Sequence, residues 1–98
     1  MDSLLTGARA VADRLRARGE TVAVAESSAG GLVSAALLAL PGASAYFLGG
    51  GVVYTRAARI GLLGITDDDM AGMRSSSEPY ALLLARRVRA RLGADWGF

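Results

Sequence analysis

Apolar residues recur at spacings of four, three and four near the start of the chain, at Leu4, Ala8, Val11 and Leu15. That period puts them on one side of a helix. The helix is predicted from Ser3 to Arg18, with Arg14 and Arg18 off the apolar side and Gly19 as its stop. The period then changes. Thr21 to Glu26 is short, β-branched in part and apolar without alternation. It reads as a strand buried on both faces, as in a sheet covered by helices. A small polar turn, Ser27–Gly31, follows. From Gly30 to Leu40 the positions Leu32, Val33, Ala36, Leu37 and Leu40 are apolar nearly all round, which predicts a central helix ended by Pro41-Gly42. Val52-Val53-Tyr54 predicts a second core strand. Gly49-Gly50-Gly51 at its start predict a bulge or a close backbone approach.

Thr55 is placed to cap a helix from Arg56 to about Leu63, stopped by Gly64. Thr66 followed by Asp67-Asp68-Asp69 is another helix start. The three carboxylates do not form a calcium loop, which needs alternating ligands, a central Gly and a closing Glu. Ser75 and Glu78 have capping-box spacing, with Pro79 in the first turn of a helix that continues through Leu84, Val88 and Leu92. Arg86, Arg87, Arg89 and Arg91 include its solvated side. Ala94 to Phe98 opens a third strand. The order helix, strand, helix, strand, helix, helix, strand predicts a layered α/β/α domain with a small central sheet. So few strands leave sheet edges to be covered, completed or paired with another copy, so a homo-oligomer is expected.

Composition narrows the chemistry. The chain has 98 residues, enough for one domain, without cysteine or histidine, and all 11 basic residues are arginine. Disulfides, thiolate metal sites, an imidazole base and a Schiff-base lysine are therefore excluded. Acid–base work falls to Asp, Glu, Tyr or water. Net charge is only +2 and no aromatic-interleaved basic patch is present, so nucleic acid is not an expected partner. No charge falls between Glu26 and Arg56. Pro41-Gly42, the three glycines and four serines inside that stretch argue against a membrane span. The first residues lack a basic region followed by an apolar core, so a cytoplasmic location is expected.

The stretch Ala25–Leu32 carries the candidate chemistry. A strand, a small polar turn and a helix leave backbone N–H groups at the helix start without partners. Ser27, Ser28, Gly30 and Gly31 stand there. A hydroxyl in that place can cap the helix, hold an anion or act as a nucleophile, and ordinary capping accounts for the same residues. The pattern is not G-x-S-x-G, a phosphate-binding P-loop or G-x-G-x-x-G.

Ala25-Glu26-Ser27-Ser28-Ala29-Gly30-Gly31-Leu32 resembles the A-E-S-C-T-G-G-L motif of the CinA C-terminal domain family, whose active members are nicotinamide-nucleotide amidases. Pro41-Gly42-Ala43-Ser44-Ala45 is similar to that family's P-G-S-S-A, and Gly50-Gly51-Val52-Val53-Tyr54 to its G-x-V-x-Y strand. Leu62-Leu63-Gly64 and Ser77-Glu78-Pro79 fit in order and spacing. The resemblance implies an amidohydrolase that converts nicotinamide mononucleotide to nicotinic acid mononucleotide and ammonia, without metal or cofactor. It implies a catalytic Ser27 and Tyr54. Arg59 falls where the family carries a lysine, and a guanidinium can hold a phosphate or stabilise a tyrosinate but cannot serve as base. Glu26, Ser28, Gly30, Gly31, Gly50 and Gly51 are the implied substrate-binding residues. Family domains continue past the position of Phe98 into a G-x-x-G-P loop, so the resemblance implies an incomplete domain. The alternative is a non-catalytic nucleotide-binding or regulatory domain, with Arg59 and the helix starts as an anion clamp.

Overall fold

The computed structural model describes residues 2–98. Its centre is a three-stranded parallel sheet in the order β2-β1-β3, formed by β1 (Val22–Glu26), β2 (Phe47–Val52) and β3 (Trp96–Gly97). Helices α1 (Asp2–Arg18) and α2 (Leu32–Leu38) cover one face. Helices α3 (Arg56–Leu63), α4 (Asp67–Met70) and α5 (Glu78–Leu92) cover the other. This is the layered α/β arrangement that the hydrophobic pattern predicts.

β1 is the middle strand because both its faces are apolar. Val22 and Val24 pack with Ala8, Ala12, Leu15, Ala36, Leu37 and Tyr46. Ala23, on the opposite face, packs with Val53, Ile65, Tyr80, Leu84 and Val88. Successive side chains of a strand point to opposite faces, so one short strand nucleates two cores. On α1 the buried stripe is Ala8, Ala12 and Leu15, with Val11 at its margin and 40% exposed. Tyr46, fully buried, donates its hydroxyl to the Leu37 carbonyl at 2.5 Å, which fastens the connection between α2 and β2.

Three predicted features differ. The helix after the serine turn is not central. α2 buries Ala36 and Leu37, while Leu32 and Leu38 are about half exposed, because the helix lies in an outer layer with one side against the sheet. The second strand is Phe47–Val52 rather than Val52–Tyr54. Its glycines lie within the strand and are held by backbone pairing with β1, with a register shift that passes over Leu48. Gly50 is also needed for close packing: a Cβ there would stand 2.5 Å from Ser34 Oγ. The last helix is capped by Ser77, whose hydroxyl accepts from the Tyr80 N–H, and not by Ser75.

The helix predicted from Gly30 to Leu40 is shorter, Leu32–Leu38, and several other predicted boundaries are present. Thr55 caps α3 by accepting from the Ala58 N–H, and Gly64 closes it in the left-handed region. Thr66 and Asp69 form a reciprocal capping box at α4. β3 lies parallel to β1 and is extended by a hydrogen bond from the Phe98 N–H to the Ala23 carbonyl. Among the described residues no helix is long and apolar enough to cross a membrane.

Candidate active site

β1 and β2 run side by side and in the same direction, but the chain leaves them on opposite faces. After β1 it turns into α2, and after β2 it turns into α3. In open parallel sheets a crevice forms outside the carboxyl ends of strands whose connections diverge in this way. A cleft of about 420 Å³ opens there, lined by Ser27, Ser28, Val53, Tyr54, Arg56, Arg59, Ser75, Ser76 and Tyr80. The strand ends beneath it are joined by a 2.6 Å hydrogen bond from the Val53 N–H to the Glu26 carbonyl.

Ser27, Tyr54 and Arg59, distant in sequence, therefore share one cleft, and Ser28 joins them. Ser27 is half-buried at the end of β1, whereas Tyr54 is 78% exposed just beyond β2. The Arg59 side chain is mostly buried, at 16% exposure. Its Nη2 reaches Asp67 Oδ1 at 3.5 Å, and its Nε is buried without a partner among the described residues. Arg56 lies three residues earlier on the same helix, so both guanidinium groups come off one side of α3. Arg56 grips Asp67 in a fork, Nε to Oδ1 at 2.9 Å and Nη2 to Oδ2 at 2.6 Å. The Arg56 hydrogen bond, ahead of every other influence, holds the Asp67 carboxyl below the usual carboxylate range, and the same bond raises the Arg56 guanidinium further. Two cations against one carboxylate leave this side of the cleft positive.

Other residues implied by the resemblance have different tasks. The Glu26 side chain turns away from the cleft lining. It is buried, and its two oxygens accept from the Val33 N–H at 2.8 Å and the Ser34 N–H at 3.0 Å. It thereby fills the amino end of α2 as an internal anion, where Gly31 at the N-cap has no side chain to do so. Gly30 and Gly31 are outside the cleft lining and take positive φ, 63° and 98°. The Gly30 N–H donates to the Ser27 carbonyl at 3.2 Å, so it is engaged within the turn. Gly50 and Gly51 belong to β2 and also lie outside the lining: Gly50 packs beneath Ser34, and Gly51 faces Leu62. The Asp67–Asp69 run is divided between neighbours. Asp67 holds the arginines, and Asp69 bonds the Thr66 N–H and reaches Arg87 Nη2 at 3.4 Å.

Sequence reasoning missed Arg56, Ser75, Ser76, Val53 and Tyr80 as cleft residues. The i, i+3 spacing of Arg56 and Arg59 was the signal available for the first. Ser75 and Ser76 gave none beyond their helix-start composition.

An α/β domain that gathers a serine, a tyrosine and paired arginines over the carboxyl ends of a parallel sheet places them in the crevice where open parallel sheets bind their ligands. Comparison with known proteins gives the family. The family model described as the CinA C-terminal domain matches residues 5–98, and the chain belongs to that family. A CinA-like protein of Prochlorococcus marinus is 51% identical over 89 residues, which are 91% of this chain and 21% of that protein. The competence/damage inducible protein CihA of Agrobacterium tumefaciens superposes with a TM-score of 0.84 at 30% identity, over 94% of this chain and 56% of that one. The competence damage-inducible protein A of Klebsiella pneumoniae gives a TM-score of 0.85 at 29% identity, over 94% and 57%. The chain thus spans about a fifth of the curated relative and just over half of the two solved chains.

Proposed function

We propose that this chain carries the serine end of a nucleotide amidase site: it binds nicotinamide mononucleotide or a similar nucleotide in the cleft and hydrolyses its carboxamide. The observation that supports this reading is the convergence of Ser27, Tyr54 and Arg59 on one cleft. Ser27 Oγ attacks the amide carbon. The Tyr54 hydroxyl relays the proton: its oxygen takes the Ser27 proton as its own proton goes to the departing nitrogen, and ammonia leaves. Water then cleaves the acyl-serine, releasing the carboxylate and restoring the hydroxyl. The balance is amide plus water to acid plus ammonia. Neither carboxylate nearby is free to replace Tyr54: Glu26 is bonded to α2, and Asp67 to Arg56.

The test is ammonia release from nicotinamide mononucleotide by the purified protein. Release should fall to background in Ser27→Ala. It should fall by about 10²–10⁴ in Tyr54→Phe, the usual worth of a positioned proton acceptor. Turnover unchanged in Ser27→Ala would remove the serine mechanism. A second reading, nucleotide binding without turnover, is favoured by Arg59, a permanent cation that cannot take a proton. It requires nucleotide affinity without ammonia release, and affinity that drops in Arg59→Ala.

A further inference from the structure

Arg59 is a mostly buried cation with too few partners. A guanidinium offers five N–H donors. Here the Nε is buried and unpartnered among the described residues, and the ion pair to Asp67 is long at 3.5 Å. Burying a charge is costly unless it is paired and hydrogen-bonded. Asp67 cannot complete Arg59, because both its oxygens are already gripped by Arg56. Arg59 lines a cleft that is also lined by Ser75 and Ser76. A single carboxylate therefore serves two guanidinium groups that suit a larger anion.

We propose that Asp67 is an internal competitor for a phosphomonoester: it holds Arg56 and draws on Arg59 when the cleft is empty, and the dianion of the ligand takes over Arg59 and shares Arg56. The inference rests on reading the cleft as a nucleotide site and adds the position of the phosphate and the residue that limits its affinity. A phosphate has three terminal oxygens and two charges, so it can accept from both guanidinium groups and from the serine hydroxyls together. A carboxylate has two oxygens and one charge. Asp67 also repels any dianion seated at Arg59, because its own oxygen lies 3.5 Å from Arg59 Nη2. Asp67 is thus a positioning residue, and its removal strengthens binding instead of weakening it.

The test is calorimetric titration of wild type, Asp67→Asn and Asp67→Ala with three probes: inorganic phosphate, nicotinamide mononucleotide and nicotinamide riboside. Asp67→Asn keeps the shape of the side chain at the start of α4 and removes its charge. Both variants should bind the two phosphate-bearing probes about tenfold more tightly than wild type, with riboside affinity unchanged. Equal or weaker phosphate binding in both variants overturns the proposal, as does an equal gain for the riboside. Inorganic phosphate alone gaining would place the anion in the cleft without the nucleotide, and would overturn the nucleotide part. Ammonia release measured on the same samples separates the two readings. Tightened binding without ammonia keeps the competitor role and removes the hydrolase. Ammonia release without tightening does the reverse.

Discussion

Removing the Glu26 carboxylate should loosen the turn that carries Ser27. Glu26 is 5% exposed, and its oxygens accept from two amides in the first turn of α2, at 2.8 and 3.0 Å. The N-cap of that helix is Gly31 at φ 98°, which has no side chain to offer. Hydrogen bonds to a charged group contribute about 1.5–3 kcal/mol each. A negative charge at a partly buried helix start adds up to about 2 kcal/mol. The burial cost of the carboxylate offsets part of both. Glu26→Gln keeps one acceptor but turns an NH2 group toward the other amide, so a loss of about 2–3 kcal/mol is expected. Glu26→Ala leaves both amides unpaired and a cavity beside β1, for about 3–5 kcal/mol. Set against the roughly 5–15 kcal/mol that holds a domain together, Glu26→Ala is close to unfolding. Urea denaturation followed by circular dichroism gives both numbers. Native-state hydrogen exchange at Val33 and Ser34 reports the two amides directly. If Glu26→Gln matched wild type within about 0.5 kcal/mol, the range of an ordinary surface substitution, and both amides kept their protection, the capping role would be refuted. The carboxylate would then be available to a ligand, as the family resemblance implies.

Acid should weaken the α3–α4 corner. Asp69 is held below the usual carboxylate range first by the Thr66 backbone N–H, then by the Thr66 hydroxyl and Arg87, and Asp67 likewise first by Arg56. Because both folded-state values are depressed, this stabilisation is present above the ordinary carboxylate range and is lost as pH falls through the depressed values. Asp69→Asn should flatten that part of an acid-denaturation curve, and an unchanged curve would count against the capping box. In the strand beside α2, Gly50→Ala should cost about 1–3 kcal/mol, since its Cβ would stand 2.5 Å from Ser34 Oγ and 3.2 Å from the Val24 carbonyl oxygen. Ser34 Oγ is itself buried without a partner among the described residues, so Ser34→Ala alone should be neutral or stabilising. The double variant should lose less than the two single effects add up to, which thermal denaturation of all four proteins would measure.

Local signals carried most of the fold. Thr55 and Gly64 bracket α3 as a cap and a stop should, and the β-branched run before Glu26 is the central strand. The second strand was hard to place for a tertiary reason. Three glycines have little intrinsic preference for a strand, and Phe47–Val52 is extended because β1 pairs with it and α2 lies over it. The apolar periphery of α2 gave no sign of which side would face solvent, because Leu32 and Leu38 are as hydrophobic as the buried Leu37. At the site, serine, tyrosine and arginine could be named from motif resemblance. The direction of the Glu26 carboxylate could not, since a strand-end acid beside a turn can face either the ligand or the helix behind it. Arg56 escaped notice because its partner, Asp67, comes from a later element.

The arrangement of charge ties recognition to chemistry on the proposed reading. Among the groups lining the cleft, the arginines are permanently protonated, the serine hydroxyls are weak bases, and Tyr80 is buried. Tyr54 is the remaining proton acceptor, and at 78% exposure its phenol is surrounded by water. Hydration favours the wrong partner: a phenol oxygen bonded to water is less available to Ser27. A nucleotide anchored by its phosphate near Arg56 and Arg59 covers Tyr54 with its own bulk as it brings the amide to Ser27. The same contact then orients the reacting carbon, expels water and frees the Tyr54 oxygen for Ser27. A small amide without a phosphate provides none of the three, so it should fail as a substrate even at concentrations that fill the cleft.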